Sequence, residues 1–343
     1  MTGFERTMTA LSGEKTDRPP FDFWAEEATL NRLFEYVGHR DLERFFDDMK
    51  IDIRSFNAVQ PDYKILGNGV FENMWGERFV YRDTEWGKMR EDTYGALYYA
   101  ESIDELMAYK WPSGDDHDYA LIGEQCREAR DKKLAVRYGF GDIWQRPSLV
   151  RGLENHLADM IVNPEWVHYL SRVFTDFYIE DYRRAWEASR GNIDIFLTVS
   201  DLGTQRGPLI SLDMFNEFVG PYLAEIAEQV HKFGAKFMFH SCGNISCYIP
   251  AMIKCGVDIL NPIQPTGAEE MSPESLKRFS GRLCFHGGID VQWLMPMGTE
   301  ADIKSAARHY AKTFGTGYIL CPAHFFQPDT PAENIIALYK AFD

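Results

Sequence analysis

The stretch Ala235-Lys-Phe-Met-Phe-His-Ser-Cys-Gly243 joins a short apolar run to a polar end, and it follows a helix-like segment, Ser211–Phe233, that stops at Gly234. A glycine just past a helical pattern is typical of a helix C-cap. A short apolar run with turn residues at its ends is typical of a buried parallel strand. Because the same order of helix and strand recurs along the chain, the pattern indicates an α/β protein.

Working outward from this stretch, short apolar runs predict eight strands in all. Eight strands alternating with helices favour a single (β/α)₈ TIM barrel over a doubly wound sheet, and we expect one domain covering residues 1–343. The predicted strands are Phe21–Trp24, Ile51–Phe56, Leu134–Tyr138, Asp194–Val199, Ala235–Phe239, Val257–Leu260, Arg282–Phe285 and Gly317–Leu320.

Start signals precede three of the helical segments. The segment Pro164–Ser189 begins with proline after Asn163, which favours a first helical turn there. Ser272 precedes another proline, and Thr330-Pro-Ala-Glu333 has the spacing of a capping box. These signals predict where the helices begin.

The segment 57–118, after the second predicted strand, is too long for a simple connection between strand and helix. Its aromatic residues alternate in Phe71–Tyr81 and recur in Tyr94–Tyr99. The alternation predicts a β-hairpin over the mouth of the barrel. We therefore expect an aromatic-rich insertion, which is either a lid over the substrate or an excursion with a small core of its own.

The composition excludes several classes of partner. Lys and Arg number 36 against 52 Asp and Glu, so the net charge is −16. Such a chain lacks the basic surface that nucleic acids and anionic membranes require. No apolar run is long enough to span a bilayer, and the first residues have no apolar signal core, so we expect a cytoplasmic protein. Its 6 cysteines do not resemble a disulfide framework.

The polar end of the fifth strand holds the strongest chemical pattern. His240 and Cys242 follow that strand, and Cys321 follows the eighth. In a TIM barrel, both ends lie at the catalytic face. One imidazole and two thiols form a soft N/S donor set that suits zinc, and three protein ligands leave one position open for catalysis. The alternative is that these cysteines are only buried hydrophobic residues, as we expect for Cys126, Cys247, Cys255 and Cys284.

Five further residues are candidates at the same face. Asp201 and His286 follow strands four and seven and are candidate catalytic residues, although Asp201 suits a turn cap and His286 adjoins a glycine turn. Trp24, Asn261 and His324 are candidate substrate-binding residues, because each ends or closely follows a predicted strand.

Seven segments make the chain resemble the uroporphyrinogen decarboxylase superfamily. This resemblance spans nearly the whole sequence and implies one TIM barrel. The segments are Arg18–Trp24, Ser200–Gln205, Gly207–Ser211, Phe239–Gly243, Gly256–Asp258, Gly287–Asp290 and Thr330–Asn334.

The superfamily that the chain resembles has two branches, which differ in the reaction they catalyse. True decarboxylases carry an arginine-rich loop after the first strand, but the loop after Trp24 has Glu26 and Glu27 and no arginine, which would repel a polyanionic porphyrinogen. The other branch consists of zinc-dependent corrinoid methyltransferases marked by His-x-Cys and a later Cys. That branch implies His240, Cys242 and Cys321 as ligands of Zn²⁺.

This branch implies methyl transfer between a methylcobalamin-type corrinoid and a thiol that zinc activates. The chain has no Asp-x-His-x-x-Gly cobalamin-binding motif, so we expect the corrinoid to be carried by a partner protein that docks at the barrel mouth. One alternative is a demethylase that passes methyl from a methoxy or methylamine-type donor to a corrinoid protein. Others are a decarboxylase of a small acid and a non-catalytic family member. The methyl donor and acceptor, the direction of transfer and the oligomeric state stay open.

Overall fold

The computed structural model describes residues 1–85, 87–266 and 268–343. These residues form strands in two sheets. The strands are β1 Ile53–Phe56, β2 Lys64–Gly67, β3 Val70–Glu72, β4 Arg78–Thr84, β5 Gly87–Asp92, β6 Ala135–Asp142, β7 Ile195–Val199, β8 Lys236–His240, β9 Ile259–Ile263, β10 Cys284–Gly287 and β11 Tyr318–Ile319.

The helices of the described residues lie mainly between the strands of the larger sheet. They are α1 Gly3–Leu11, α2 Glu27–Val37, α3 Leu42–Asp48, α4 Ile103–Ala108, α5 Ile122–Asp131, α6 Gln145–Arg151, α7 Leu153–Val162, α8 Pro164–Ala188, α9 Leu212–Phe218, α10 Gly220–Lys232, α11 Ile249–Lys254, α12 Pro273–Leu276, α13 Leu294–Met297, α14 Glu300–Phe314 and α15 Ala332–Tyr339. No helix among them is long and apolar enough to cross a membrane.

The larger sheet is a curled parallel sheet of 7 strands in the order β1-β6-β7-β8-β9-β10-β11. Each strand pairs with its neighbour in parallel, as β8 pairs with β9 through His240 and Asn261. Seven of the eight predicted strands lie in this sheet, which confirms the α/β fold. Parallel strands joined by helices bring all their carboxyl ends to one edge, and that edge positions the site.

The predicted first strand is not a regular strand. Phe21 makes a single parallel bridge to Leu320. The backbone N–H of Asp22 donates to Leu320 at 3.0 Å, and that of Asp52 donates to Phe21 at 2.9 Å. This segment thus touches both outer strands of the sheet, but Pro19 and Pro20 precede it and have no N–H to extend the pairing.

Side chains of the sheet alternate between two buried layers. Ile195, Leu197 and Val199 of β7 belong to a cluster on the inner face, whereas Phe196 belongs to the larger cluster between the sheet and the helices. A strand buried on both faces has a continuous apolar run in its sequence, which explains why these strands could be predicted.

Two details of the helices differ from the predictions. The predicted helix Ser211–Phe233 is divided into α9 and α10, because Pro221 cannot donate the backbone hydrogen bond that would continue α9. The predicted capping box at Thr330 is wrong, because α15 begins after Pro331 without a side-chain cap. At Ser272 the prediction is confirmed, since its side chain accepts from the N–H of Ser275.

A second, antiparallel sheet follows β1 and contains β2 to β5. Within the predicted hairpin, β3 and β4 pair through Phe71 and Phe79. Trp75, between these strands, packs against Phe174 and Phe177 of α8, each with ring centroids 4.5 Å from its own. The small sheet is therefore anchored to a helix outside the larger sheet, and its role as a lid stays a prediction.

Candidate active site

The candidate site is built where the strands of the larger sheet end. His240 is the last residue of β8, and Asp201 and Cys242 lie in the loops that follow β7 and β8. His324 lies in the segment after β11. Because these positions share one edge of the sheet, side chains from distant parts of the sequence meet there.

His240, Cys242 and His324 form the open cluster, a group whose candidate ligand atoms all lie within 4.8 Å of one another. The Sγ of Cys242 is 3.4 Å from Nε2 of His240. The ring centroids of His240 and His324 are 6.2 Å apart. Cys242 and His324 are partly exposed, so the cluster is accessible from outside the sheet. Its nitrogen and sulfur donors are those that zinc prefers.

Asp201 adds a negative charge beside the open cluster. Its carboxylate accepts a hydrogen bond from the N–H of Cys242 at 2.9 Å and lies 3.6 Å from Nε2 of His240. Although burial opposes ionisation, His240 and the Cys242 N–H lower the pKa of Asp201 to about 2. Burial also disfavours a charged His240, but Asp201 and Cys242 raise its pKa to about 10. The site therefore attracts a positive charge at Nε2, which a metal cation can supply in place of a proton.

Two glycines bring the loops of the open cluster into backbone contact. Gly243 has φ +81, and a Cβ there would lie 2.5 Å from the carbonyl carbon of Gly203. A Cβ on Gly203 would lie 2.6 Å from the carbonyl oxygen of Cys242. The N–H of Asn244 donates to Thr204 at 2.8 Å across the same contact. Only glycine fits at both positions, and the contact holds Cys242 beside Asp201.

Asp22, His286 and Cys321 form the closed cluster, a second group with candidate ligand atoms within 4.8 Å of one another. All three are buried. Arg137 forms an ion pair with the Asp22 carboxylate, and Nε2 of His286 lies 2.8 Å from it. Although burial raises the pKa of Asp22, Arg137 and His286 hold it well below its ordinary value. The guanidinium already neutralises this carboxylate, so the closed cluster needs no metal cation.

Trp24 separates the two clusters. Its Nε1–H donates to Asp22 at 2.9 Å, and its ring stacks on that of His240 at 5.9 Å and 16°. Phe140 and Phe325 lie 6.3 and 5.2 Å from the same ring. Together the three rings form an aromatic wall beside the open cluster, which is apolar except at the indole N–H.

The structure thus divides the predicted metal ligands between two groups. His240 and Cys242 lie together, but among the described residues they are grouped with His324, whereas Cys321 lies in the closed cluster. Burial raises the pKa of the Cys321 thiol well above its ordinary value. Cys321 as a zinc ligand stays a prediction, and His324 is a second candidate for the third position.

The remaining predicted residues lie close to this site. Asp201 contacts the open cluster. His286 and Asn261 are fully buried, and the Asn261 side chain joins His240 to His286. Trp24 contacts both clusters. These placements suit Asn261 and His286 to orienting other groups, and their predicted direct roles in catalysis or substrate binding stay predictions.

Two charged residues of the site were absent from the predictions. Asp22 and Arg137 pair in the interior of the larger sheet. A signal existed in the sequence, because each is a charged residue within an otherwise apolar predicted strand. Among the other cysteines, Cys126 and Cys284 are buried as expected, but Cys247 is exposed and Cys255 is only partly buried. Cys247 lies in a turn between Cys242 and α11.

Comparison with known proteins identifies the class. The family model described as uroporphyrinogen decarboxylase (URO-D) matches residues 122–343. The chain therefore belongs to the URO-D family, which confirms the resemblance seen in the sequence. The search of curated proteins found no match.

Solved structures support the fold. A methyltransferase from Methanosarcina mazei has a TM-score of 0.74 and 18% identity, and the alignment covers 100% of this chain and 98% of that one. At this identity the likeness shows the fold. A glycosylated endo-beta-1,4-xylanase from Gloeophyllum trabeum has a TM-score of 0.42 and 11% identity over 67% of this chain and 82% of that one, which is too low to carry an argument.

Proposed function

We propose that the chain is a zinc-dependent methyltransferase that moves a methyl group between a corrinoid and a thiol. The observation that carries the proposal is the open cluster, in which a thiol and an imidazole lie 3.4 Å apart at the accessible edge of the sheet. Family membership and the shared fold with the M. mazei methyltransferase support it.

The residues of the open cluster fit a zinc ion. His240 and Cys242 would hold it, with Cys321 or His324 as the third ligand. Asp201 favours a cation at this place, as the raised pKa of His240 shows. When bound, zinc ionises a coordinated thiol near neutral pH and so supplies the nucleophile.

The other side chains prepare the site for a thiol. Because the pKa of Asp201 is about 2, its carboxylate stays ionised at neutral pH and stabilises positive charge instead of acting as a general base. Burial lowers the pKa of His324, so this partly exposed imidazole is neutral and can accept the thiol proton if it is not itself a ligand. The aromatic wall excludes water from one side of the open cluster.

A separate corrinoid protein is part of the proposal. The corrinoid would reach the open cluster from the accessible edge of the sheet, where Cys242 and His324 are partly exposed. The proposed partner therefore docks at that edge.

The aromatic wall favours a second candidate function. Phe140 is 43% exposed although it contacts Trp24, so an aromatic surface is open to a ligand beside the open cluster. A demethylase that transfers methyl from a methylated aromatic compound to a corrinoid protein would use such a surface.

The first test is the metal content of the reduced protein by elemental mass spectrometry, with a Cys242→Ser variant as the control. We expect about one zinc per wild-type chain and little in the variant. Methyl transfer from methylcobalamin to thiols is then measured, and methylated aromatics with a corrinoid acceptor protein are tested in parallel. A wild-type protein that takes up no zinc after reconstitution contradicts both functions.

A further inference from the structure

Buried hydrogen bonds connect the closed cluster to the open one through Asn261. This residue is 1% exposed and lies opposite His240 in the pairing of β8 and β9. Its side-chain oxygen contacts Nδ1 of His240, and its nitrogen lies 2.6 Å from Nδ1 of His286. Nε2 of His286 lies 2.8 Å from Asp22. Four side chains thus form a continuous chain in the order Asp22, His286, Asn261 and His240.

The chemistry of these groups determines where the hydrogens lie. The ionised carboxylate of Asp22 can only accept, so Nε2 of His286 must donate to it. Burial and Arg137 lower the pKa of His286, so the ring is neutral and its Nδ1 accepts. The amide nitrogen of Asn261 donates to that atom.

The same reasoning determines which nitrogen of His240, at the other end of this series of hydrogen bonds, carries hydrogen. Since the Asn261 nitrogen faces His286, its oxygen faces His240 and accepts the hydrogen on Nδ1. The lone pair that can bind a metal is then on Nε2 of His240, which is the atom 3.4 Å from Cys242. A histidine ligand whose second nitrogen donates to a fixed acceptor is held in one tautomer and one orientation.

We propose that Asn261 is a positioning residue that fixes His240 in the tautomer whose Nε2 binds the metal. This inference rests on the proposed zinc site at the open cluster. Asn261 acts through His240 and does not contact the metal. The hydrogen-bonded series begins in the closed cluster, where Arg137 keeps Asp22 ionised. Because Asp22 can then only accept, the donor and acceptor of each later hydrogen bond are determined.

The test compares two variants by chelator competition for Zn²⁺. Asn261→Leu removes the acceptor, and we expect zinc affinity to fall 10- to 100-fold, as is typical when such a partner is lost. Asn261→Asp keeps an oxygen toward His240, while its other oxygen takes a hydrogen from His286, which gains a proton. We expect its affinity to stay within about threefold of the wild type.

A matched control separates positioning from general disruption. Ile259→Val removes one buried methyl from the same strand and replaces neither Asn261 nor a histidine. It should leave zinc affinity unchanged, and thermal unfolding of all the variants shows whether each is folded. Equal zinc affinity in Asn261→Leu and wild type overturns the inference. So does an equal loss in Asn261→Leu and Asn261→Asp.

A second measurement needs neither metal nor a variant of Asn261. Nitrogen-15 NMR of histidine-labelled, metal-free protein, followed as the pH rises through deprotonation of the His240 ring, reports which ring nitrogen keeps its hydrogen, with His240→Gln used to assign the signal. Hydrogen on Nδ1 is expected, and a bare Nδ1 overturns the inference even if Asn261→Leu does not fold. Failure of the wild type to bind zinc instead contradicts the proposed function, and the NMR result still decides the hydrogen assignment.

Discussion

The open and closed clusters contain similar residues but differ in how their charges are balanced. Each has a histidine, a cysteine and a nearby aspartate within one edge of the same sheet. In the closed cluster, Arg137 supplies the positive charge that Asp22 needs. In the open cluster, no lysine or arginine of the described residues pairs with Asp201, and its ion-pair partner is the imidazole of His240 at 3.6 Å. A group of potential ligands therefore becomes a candidate metal site only where no resident cation already fills that role.

Cys321 is the residue on which this comparison depends. It is buried in the closed cluster, yet within the described parts of the chain its thiol makes no hydrogen bond there. Asp22 and His286 are tightly bonded to each other, so the thiol is the member that can leave without breaking a bond. Cys321 is therefore the residue that the proposed zinc site would take from the closed cluster.

The largest expected effect is on the charge balance of the closed cluster. Asp22→Ala leaves Arg137 buried without its partner, and we expect the free energy of unfolding to fall by about 3–5 kcal/mol. Asp201→Ala, at a partly exposed carboxylate, should change it by less than about 1 kcal/mol. Chemical unfolding followed by tryptophan fluorescence measures both. Similar losses in the two variants would remove the distinction between the clusters.

The second prediction concerns the third metal ligand. Because thiolates bind zinc more strongly than a neutral imidazole in a soft donor set, Cys321→Ser should weaken zinc binding by about 100-fold. His324→Ala should weaken it by less than about tenfold. Chelator competition gives both constants. The reverse order would show that Cys321 stays in the closed cluster and that His324 completes the site.

The third prediction is that zinc affinity at the open cluster depends on pH. Because the pKa of His240 is raised to about 10, its Nε2 is protonated at neutral pH and zinc must displace that proton. Apparent zinc affinity should therefore rise with pH, about tenfold per pH unit for each proton released, between pH 6 and 8.

Asp201→Asn is the control for this dependence. It removes the charge that raises the pKa of His240, so the rise in affinity with pH should become shallower. Zinc titrations at pH 6, 7 and 8 in weak buffer, with a pH indicator, give the affinity and the protons released. An affinity that does not change with pH would contradict the charge balance described for this cluster.

The smallest of the predicted effects is expected at Trp24, which lies between the two clusters. Trp24→Phe keeps a ring against His240 but loses the N–H that donates to Asp22. We expect a loss of about 1 kcal/mol in unfolding free energy, since Asp22 keeps its other partners. Zinc affinity should stay within about threefold, with Phe325→Leu as the matched control. A larger change in affinity would show that the two clusters are coupled through the indole.

The sequence is sufficient to predict most of the fold and to bring part of the candidate site together. Apolar runs marked seven strands of the larger sheet because those strands are buried on both faces. Phe21–Trp24 was placed correctly at the site, but the prolines before it prevent regular pairing. His240 and Cys242 were identified because both belong to one short loop, so their proximity does not depend on the tertiary structure.

The rest of the site depends on contacts that the sequence pattern does not contain. The pairing of Asp22 with Arg137 joins residues from separate strands and requires the curled sheet. The grouping of Cys321 with His286 depends on side-chain directions at the strand ends. Asn261 directly follows a predicted strand, but its contact with two histidines follows only from the register of β8, β9 and β10.

The paired glycines at 203 and 243 also bear on how the candidate site can be engineered. Their backbones meet so closely that a methyl group on either would collide with the other loop. A mutant library directed at this site should leave both positions fixed, since any other side chain there would force the two loops apart. Phe140 and Phe325 are better positions to vary, because their rings belong to the aromatic wall and not to the contact between the two glycines.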